Sequence, residues 1–174
     1  MKHIVLFAIF LSLGFTSLQA QRSMRIQDLL LRYEQRWDTL ANERIPLEQR
    51  LLYKAGFEAL FVKPDSATIK TRIRKTSLPL RRSASAYADA LLSELQNADL
   101  QLTYFYYQRK NSGQVDKHYR VYVHQTIRQS DATVSTTPMV FLLNGSADRI
   151  IGIEPYDDLD MDGVADPDDF CPEL

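Results

Sequence analysis

The spacing of apolar residues changes along this chain, and that change limits the folds open to it. Before residue 97 helical spacing dominates; from Leu100 onward the apolar positions alternate. Ile26, Leu29, Leu30, Tyr33, Trp37 and Leu40 mark one face of a helix over residues 24–40, with Arg25, Asp28, Arg32, Gln35 and Arg36 on the other side. After a break at residues 42–45, Pro46 suits a first helical position because it has no N–H to leave unpaired. A second helix carries Leu47, Leu51, Leu52, Ala55, Ala59 and Leu60, and it is expected to lay that stripe on the first. Pro64 and Asp65 end it. Ile69, Thr71 and Ile73 then alternate with Lys70, Arg72 and Arg74, as in a strand with one wet, basic face. Ser83 or Ser85 opens a third helix reaching Gln96, whose buried stripe is Tyr87, Leu91, Leu92 and Leu95.

Strands follow at residues 100–109, 118–128, 138–144 and 149–153. They are joined by Asn111-Ser112-Gly113, by Ser130-Asp131 and by Asn144-Gly145, the last read as a type I′ turn although Asn144-Gly145-Ser146 also satisfies a glycosylation sequon. Helix, helix, strand, helix and a run of strands describe an α+β domain in which a curved antiparallel sheet wraps helices. Its expected core includes Leu30, Trp37, Leu60, Tyr87, Leu91, Leu95, Val121, Val123 and Phe141. This order resembles that of the nuclear-transport-factor-two-like (cystatin-like cone) superfamily. The helix end at residues 57–61, the strand at 69–73 and the helix at 87–95 stand where that family has its corresponding elements. The resemblance spans residues 24–154 and is one of topology. It implies a cone that binds a small molecule, performs chemistry on one, or serves as a dimerisation or scaffold module.

The segment from residue 158 to 172 asks for a particular chemistry. Counting Asp158 as the first position, carboxylates stand at 1, 3, 5, 9 and 12: Asp158, Asp160, Asp162, Asp166 and Asp169. Gly163 permits the sharp turn that folds them inward, and the carbonyl of Val164 falls at the backbone-ligand position. Such spacing suits Ca²⁺, a hard cation that takes six to eight oxygens. The alternative is an acidic tail without fixed structure. Asp rather than Glu at position 12, with no flanking apolar helix, argues against a helix-loop-helix hand. The segment resembles the thrombospondin type 3 repeat, in which the acids bind calcium and the Cys pairs with one in a neighbouring repeat. The resemblance implies metal roles for Asp158, Asp160, Asp162, Asp166 and Asp169, and pairing for Cys171. With one Cys in the chain, Cys171 is either a spare thiol or half of an intermolecular pair. These repeats commonly link a head domain to an outer-membrane or peptidoglycan-binding domain in exported bacterial proteins. The resemblance therefore implies a head domain, associated with the cell envelope through a downstream region.

The start of the chain fits export. Lys2 and His3 precede an apolar run from residue 4 to 15, and Ala20 meets Gln21, as in a secretory signal peptide. A membrane anchor is the alternative, but the run is shorter than the roughly 20 residues a span needs. The expected organisation is a signal peptide at 1–20, an α+β cone at 21–156 and a calcium-binding repeat at 157–174. The location implied is secreted, periplasmic or outer-membrane associated.

The formal charge of −1 hides an asymmetry: eight of the 22 acids lie in residues 157–174, which hold no Lys or Arg. Lys63, Lys70, Arg72, Arg74, Lys75, Arg81 and Arg82 crowd one region and read first as a solvated strand face, with an anion or polysaccharide surface as the alternative. Export and the lack of interleaved aromatics argue against a nucleic-acid partner. No Gly-rich phosphate loop, Cys or His metal cluster, or serine-nucleophile elbow is present. A cone enzyme of isomerase or dehydratase type needs a carboxylate or His base with a Tyr donor. Tyr104, Tyr106, Tyr107, Tyr119 and Tyr122 offer the donor, while Asp116, Asp131 and Asp148 fall in turns. His118 and His124 share a strand face with Arg120, Tyr122, Thr126 and Arg128 and are expected to meet solvent. The tyrosines at 104–107 are expected to serve packing first. The reading is a non-catalytic module binding a small ligand, a protein or a second copy of itself. Its alternative is a cone enzyme acting on a small hydrophobic molecule. Export predicts that, in a Gram-negative host, mass spectrometry finds the product starting at or near Gln21; a product retaining Met1 in the cytoplasm overturns it.

Overall fold

The computed structural model describes residues 2–71, 80–112, 116–129 and 134–156. The calcium-loop residues Asp158, Asp160, Asp162, Val164, Asp166 and Asp169, together with Cys171 and Arg72, Arg74 and Lys75 of the basic region, lie outside them. Three helices and six strands are described: α1 (Lys2–Ala41), α2 (Leu47–Glu58), β1 (Thr68–Thr71), β2 (Leu80–Ser83), α3 (Ala84–Ser93), β3 (Asp99–Ser112), β4 (Asp116–Arg128), β5 (Val134–Leu143) and β6 (Ile150–Pro155). The fold is α+β, a curved, unclosed sheet wrapped on helices. Among the described residues no helix is long and apolar enough to cross a membrane.

The stripe on α1 does what its spacing requires. Ile26, Leu29, Leu30, Tyr33, Trp37, Leu40 and Ala41 are all buried, and fully burying a large apolar side chain is worth about 1.5–3 kcal/mol. Ser83 caps α3, its hydroxyl accepting from the Ala86 N–H at 3.1 Å. All nine expected core positions are buried.

The strands lie in the order β2-β1-β6-β5-β4-β3. Neighbours are antiparallel except β1 and β6, which run parallel with Thr68 opposite Gly152. A Cβ at residue 152 would stand 3.1 Å from the Thr68 carbonyl oxygen, so glycine permits this close approach. β2 is an element that sequence spacing missed. Leu80–Ser83 is too short and too basic to show alternation, and it forms only by pairing with β1.

A register shift between Tyr104 and Tyr106 divides the tyrosines of β3 between two faces. Tyr104 and Tyr107 pack on the core under the helices, whereas Tyr106 stacks on Tyr122 on the outer face, with ring centroids 4.6 Å apart. Tyr156 meets Tyr122 edge-on at 5.1 Å, and Val140 and Leu142 complete this outer cluster. The expectation that His124 meets solvent is therefore corrected: it is buried at 7% exposure, and His118 is half-buried. Aromatic side chains make the outer face partly dry.

Two more expectations change. α2 does not lay its leucines on α1: Leu47, Leu51 and Leu52 are exposed, as are Ala55 and Ala59, while Arg50 and Phe57 are buried. The Arg50 guanidinium donates to the Leu40 carbonyl at 3.1 Å, near the end of α1. The connection from β5 to β6 is longer than a two-residue type I′ turn. Asn144 organises it, its side-chain oxygen accepting from the N–H groups of Asp148 and Arg149 and its amide donating to the Asp148 carboxylate at 2.7 Å. These bonds, with one from the Ser146 hydroxyl, hold the Asp148 carboxyl below its ordinary pKa. In the basic region, Lys70 pairs with Glu154 at 2.9 Å and Arg82 with Glu94 at 2.8 Å.

Candidate functional site

The place to look first in a cone is the space between sheet and helices, and here aromatic side chains occupy it. Tyr33 lies 5.4 Å from Phe57, 6.4 Å from Phe61 and 5.1 Å from Phe141, centroid to centroid. Trp37 and Tyr87 complete the group, both at most 1% exposed. The polar atoms among these rings serve one another. The Trp37 indole N–H donates to the Tyr87 hydroxyl at 3.0 Å, and that hydroxyl also bonds Tyr33 and Gln125. Burial lifts the Tyr33 phenol well above its ordinary pKa and lifts Tyr87 to about 12, so both stay neutral. Gln125 is a buried polar residue on the inward face of β4, and alternation by itself assigns it no role.

The histidines of β4 stand elsewhere. Cross-strand pairing puts His124 between Thr103 and Pro138, on the outer face with Tyr122. Its burial therefore belongs to the outer cluster rather than to the interior.

Two openings are lined by described residues. One, of about 770 Å³, lies where α1 ends and β3 begins, lined by residues including Asp38, Asn42, Glu43, Arg44, Asn97 and Asp99. Asp38 accepts from the Leu100 N–H at 2.7 Å, and one helical turn earlier Glu34 accepts from the Leu102 N–H at 3.3 Å. β3 is an edge strand, so alternate N–H groups point away from the sheet. Four residues of helix rise about 6 Å and two of strand about 6.6 Å, so carboxylates at i and i+4 meet those N–H groups in step. Burial raises the Asp38 pKa to about 6; the Leu100 bond opposes the shift, and Asp99 and Glu34 add to it. Asn97, at a φ of 55°, bonds the Ala41 carbonyl and the Glu43 carboxylate. Much of this opening's polar lining thus ties α1 to β3. Asp38 lies on a helix, outside the strands where the base of a cone enzyme is expected; its signal in the sequence is the Glu34/Asp38 pair flanking the buried stripe.

The second opening, of about 470 Å³, is a cleft between α1 and the far ends of β3 and β4. Gln19, Arg22, Tyr104, Tyr106, Tyr107, Arg109 and Tyr119 line it. Ser23 bonds the Tyr104 hydroxyl, and burial nevertheless raises that phenol's pKa. Among the described residues neither Arg22 nor Arg109 has an ion-pair partner. The cleft combines aromatic walls with two guanidinium groups, a chemistry suited to an anionic ligand with a flat apolar body. Among the described residues no three His, Cys, Asp or Glu side chains converge as a metal-ligand set.

The raised pKa of Asp38 has a definite sign. Its folded value of about 6 exceeds the unfolded value near 3.9, so the folded state holds the extra proton between them and stability falls as pH rises through that window. Asp38→Asn keeps an oxygen for the Leu100 N–H and cannot ionise. Thermal unfolding should show the variant gaining on the parent between pH 4 and about pH 7; parallel profiles overturn the assignment.

No family model matches the chain, and no curated protein matches it in sequence. It is similar to solved structures at low identity. Aln2 from a Streptomyces species is 15% identical over 76% of this chain and 89% of that one, with a TM-score of 0.45. A protein with a cystatin-like fold from Caulobacter vibrioides is 15% identical over 76% and 87%, with a TM-score of 0.45. An NTF2-like protein from an Exiguobacterium species is 16% identical over 72% and 93%, with a TM-score of 0.41.

Proposed function

We propose that this chain is an exported, non-catalytic binding or scaffold module, a cone domain followed by a calcium-binding repeat. The observation that carries the reading is the group of aromatic side chains buried between sheet and helices. Trp37, Tyr33 and Tyr87 direct their polar atoms at one another there, and phenols held neutral are poor proton acceptors. Binding is then the task of the cleft at Tyr104, Tyr107, Tyr119, Arg22 and Arg109. Removal of residues 1–20 would take Gln19 out of its lining and leave both arginines. The calcium loop, with Asp158, Asp160, Asp162, Asp166 and Asp169 and the Val164 carbonyl, follows as a stiffened junction toward the cell envelope.

A second reading, a cone enzyme acting on a small hydrophobic molecule, is favoured by one observation: Asp38 has a raised pKa beside the larger opening. That opening's lining includes Asp38, Asn42, Glu43, Arg44 and Asp99, a polar set that suits such a substrate poorly.

Two measurements test the proposal. Fluorescence titration with 8-anilinonaphthalene-1-sulfonate, an anionic aromatic probe, should show saturable binding weakened on the order of tenfold in Arg22→Ala/Arg109→Ala; unchanged affinity removes the cleft from the reading. Calorimetry on this chain should find calcium binding in the range of about 10⁻⁴ to 10⁻³ M, because the loop must order its own backbone at roughly 1–2 kcal/mol per residue. Asp160→Ala/Asp162→Ala should abolish that heat, and equal heats from both proteins reduce the loop to an acidic tail.

A further inference from the structure

The carboxylates that cap β3 run out halfway along it. Asp38 and Glu34 accept from the N–H groups of Leu100 and Leu102. Taken four residues at a time toward its start, the same row of α1 continues through Leu30, Ile26 and Arg22: two buried apolar side chains and then a guanidinium. No acceptor side chain stands in that row beyond Glu34. Arg22 meets β3 again at the smaller opening, which Tyr107 and Arg109 line with it.

Register decides which backbone groups of β3 face outward there. Leu100 and Leu102 turn their N–H groups to the helix, so Gln101 and Thr103 bond β4, opposite Thr126 and His124. Every second residue of β4 keeps that role. Past the shift at Tyr104 and Tyr106, its bonded partners are Tyr106, Gln108 and Lys110, opposite Tyr122, Arg120 and His118. The N–H and C=O groups of Tyr107 and Arg109 therefore point off the edge of the sheet, and their side chains lie on the inner face. Strand N–H groups and the Arg22 guanidinium thus border one opening, and all of them are donors.

We propose, resting on the reading of this cleft as a binding site, that the edge of β3 at Tyr107 and Arg109 takes an acidic peptide segment of another protein as an added antiparallel strand. Such a segment brings backbone acceptors to the edge and carboxylates to the guanidinium groups. Antiparallel pairing is slightly the more stable kind and repeats what β4 does on the other side of β3. In that ladder, the residues opposite Tyr107 and Arg109 turn their side chains to the inner face. An aromatic ring there meets Tyr107 and Tyr119, whose own rings stand edge to face at 5.9 Å. A carboxylate two residues away meets Arg109 and Arg22, which have no ion-pair partner among the described residues. β3 carries no acid after Asp99, and Asp116 of β4 stands at the end of the ladder, opposite Ser112.

The chain's own acids do not suit this edge. By strand spacing and rise, Arg109 stands three strands across and five residues along from Tyr156, about 22 Å away. At about 3.4 Å per residue, residues 157–162 end where an added strand would have to begin. Pro167 and Pro172 then interrupt the acids beyond, and proline has no N–H for a ladder.

Calorimetry of the purified chain with acetyl-Thr-Asp-Thr-Phe-Thr-Asp-Thr-amide, whose ring and acids alternate with threonine, should show saturable binding. Replacing both peptide acids with Asn should weaken it on the order of tenfold. N-methylation of the Phe amide, which donates to the Tyr107 carbonyl in the ladder, should weaken it on the order of tenfold, whereas N-methylation of the following Thr, whose N–H faces solvent, should change it less than about threefold. Equal effects of the two methyl groups overturn the added strand, and indifference to Asn overturns the acidic ligand. If 8-anilinonaphthalene-1-sulfonate binds through Arg22 and Arg109 while the peptide gives no heat, this inference alone falls; if neither ligand binds, the cleft reading falls with it.

Discussion

The hydrogen bond from the Trp37 indole to the Tyr87 hydroxyl joins the first helix to the third in the driest part of the molecule. Burying an indole N–H without a partner would cost about 1–3 kcal/mol, so Tyr87 must stand where Trp37 can reach it. Tyr33 and Gln125 meet the same hydroxyl, which brings β4 into the network. Around these polar contacts the rings of Phe57, Phe61 and Phe141 close the space. Among the described residues these rings pack the space between sheet and helices, and the two openings they leave lie at the rim.

The same helix governs the edge of the sheet. Glu34 and Asp38 satisfy N–H groups that β3 would otherwise offer to another chain, and this masks part of an edge that invites aggregation. The position is not free of strain for Asp38, since burial makes its ionised form less favourable. α2 shows the opposite arrangement: Arg50 goes inward to a carbonyl at the end of α1 while the leucines stay out. The buried Phe57 and the Arg50 bond hold α2 in this orientation, although its leucines meet water.

Much of the fold was legible in the sequence. The α1 stripe, the Ser83 cap and the succession of strands follow from local chemistry, because 3.6-residue and two-residue periodicities are set by backbone geometry. The candidate site was less legible. Asp38 sits on a helix flank, and only its distance from β3 turns it into an edge cap. His124 falls on the face that alternation assigns to water, because alternation separates two faces without saying which of them is dry. The shift at Tyr104 and Tyr106 sent neighbouring tyrosines to opposite sides, an outcome no count of alternating residues contains.

What the sequence determined by itself is therefore the inventory: an α+β chain with a helical first part, a β-rich second part, nine of its core positions, an apolar start and an acidic end. What only the tertiary structure decided is facing and contact. The α2 stripe is an example, since periodicity shows that Leu47, Leu51, Leu52, Ala55 and Ala59 share a side but not what lies opposite. β2 is another, because Leu80–Ser83 becomes a strand through the free N–H and C=O groups of β1 rather than through its own propensity. The physical reason is common to both. Local sequence sets which conformations and faces a segment offers, whereas desolvation and hydrogen-bond satisfaction are settled by residues distant in the chain.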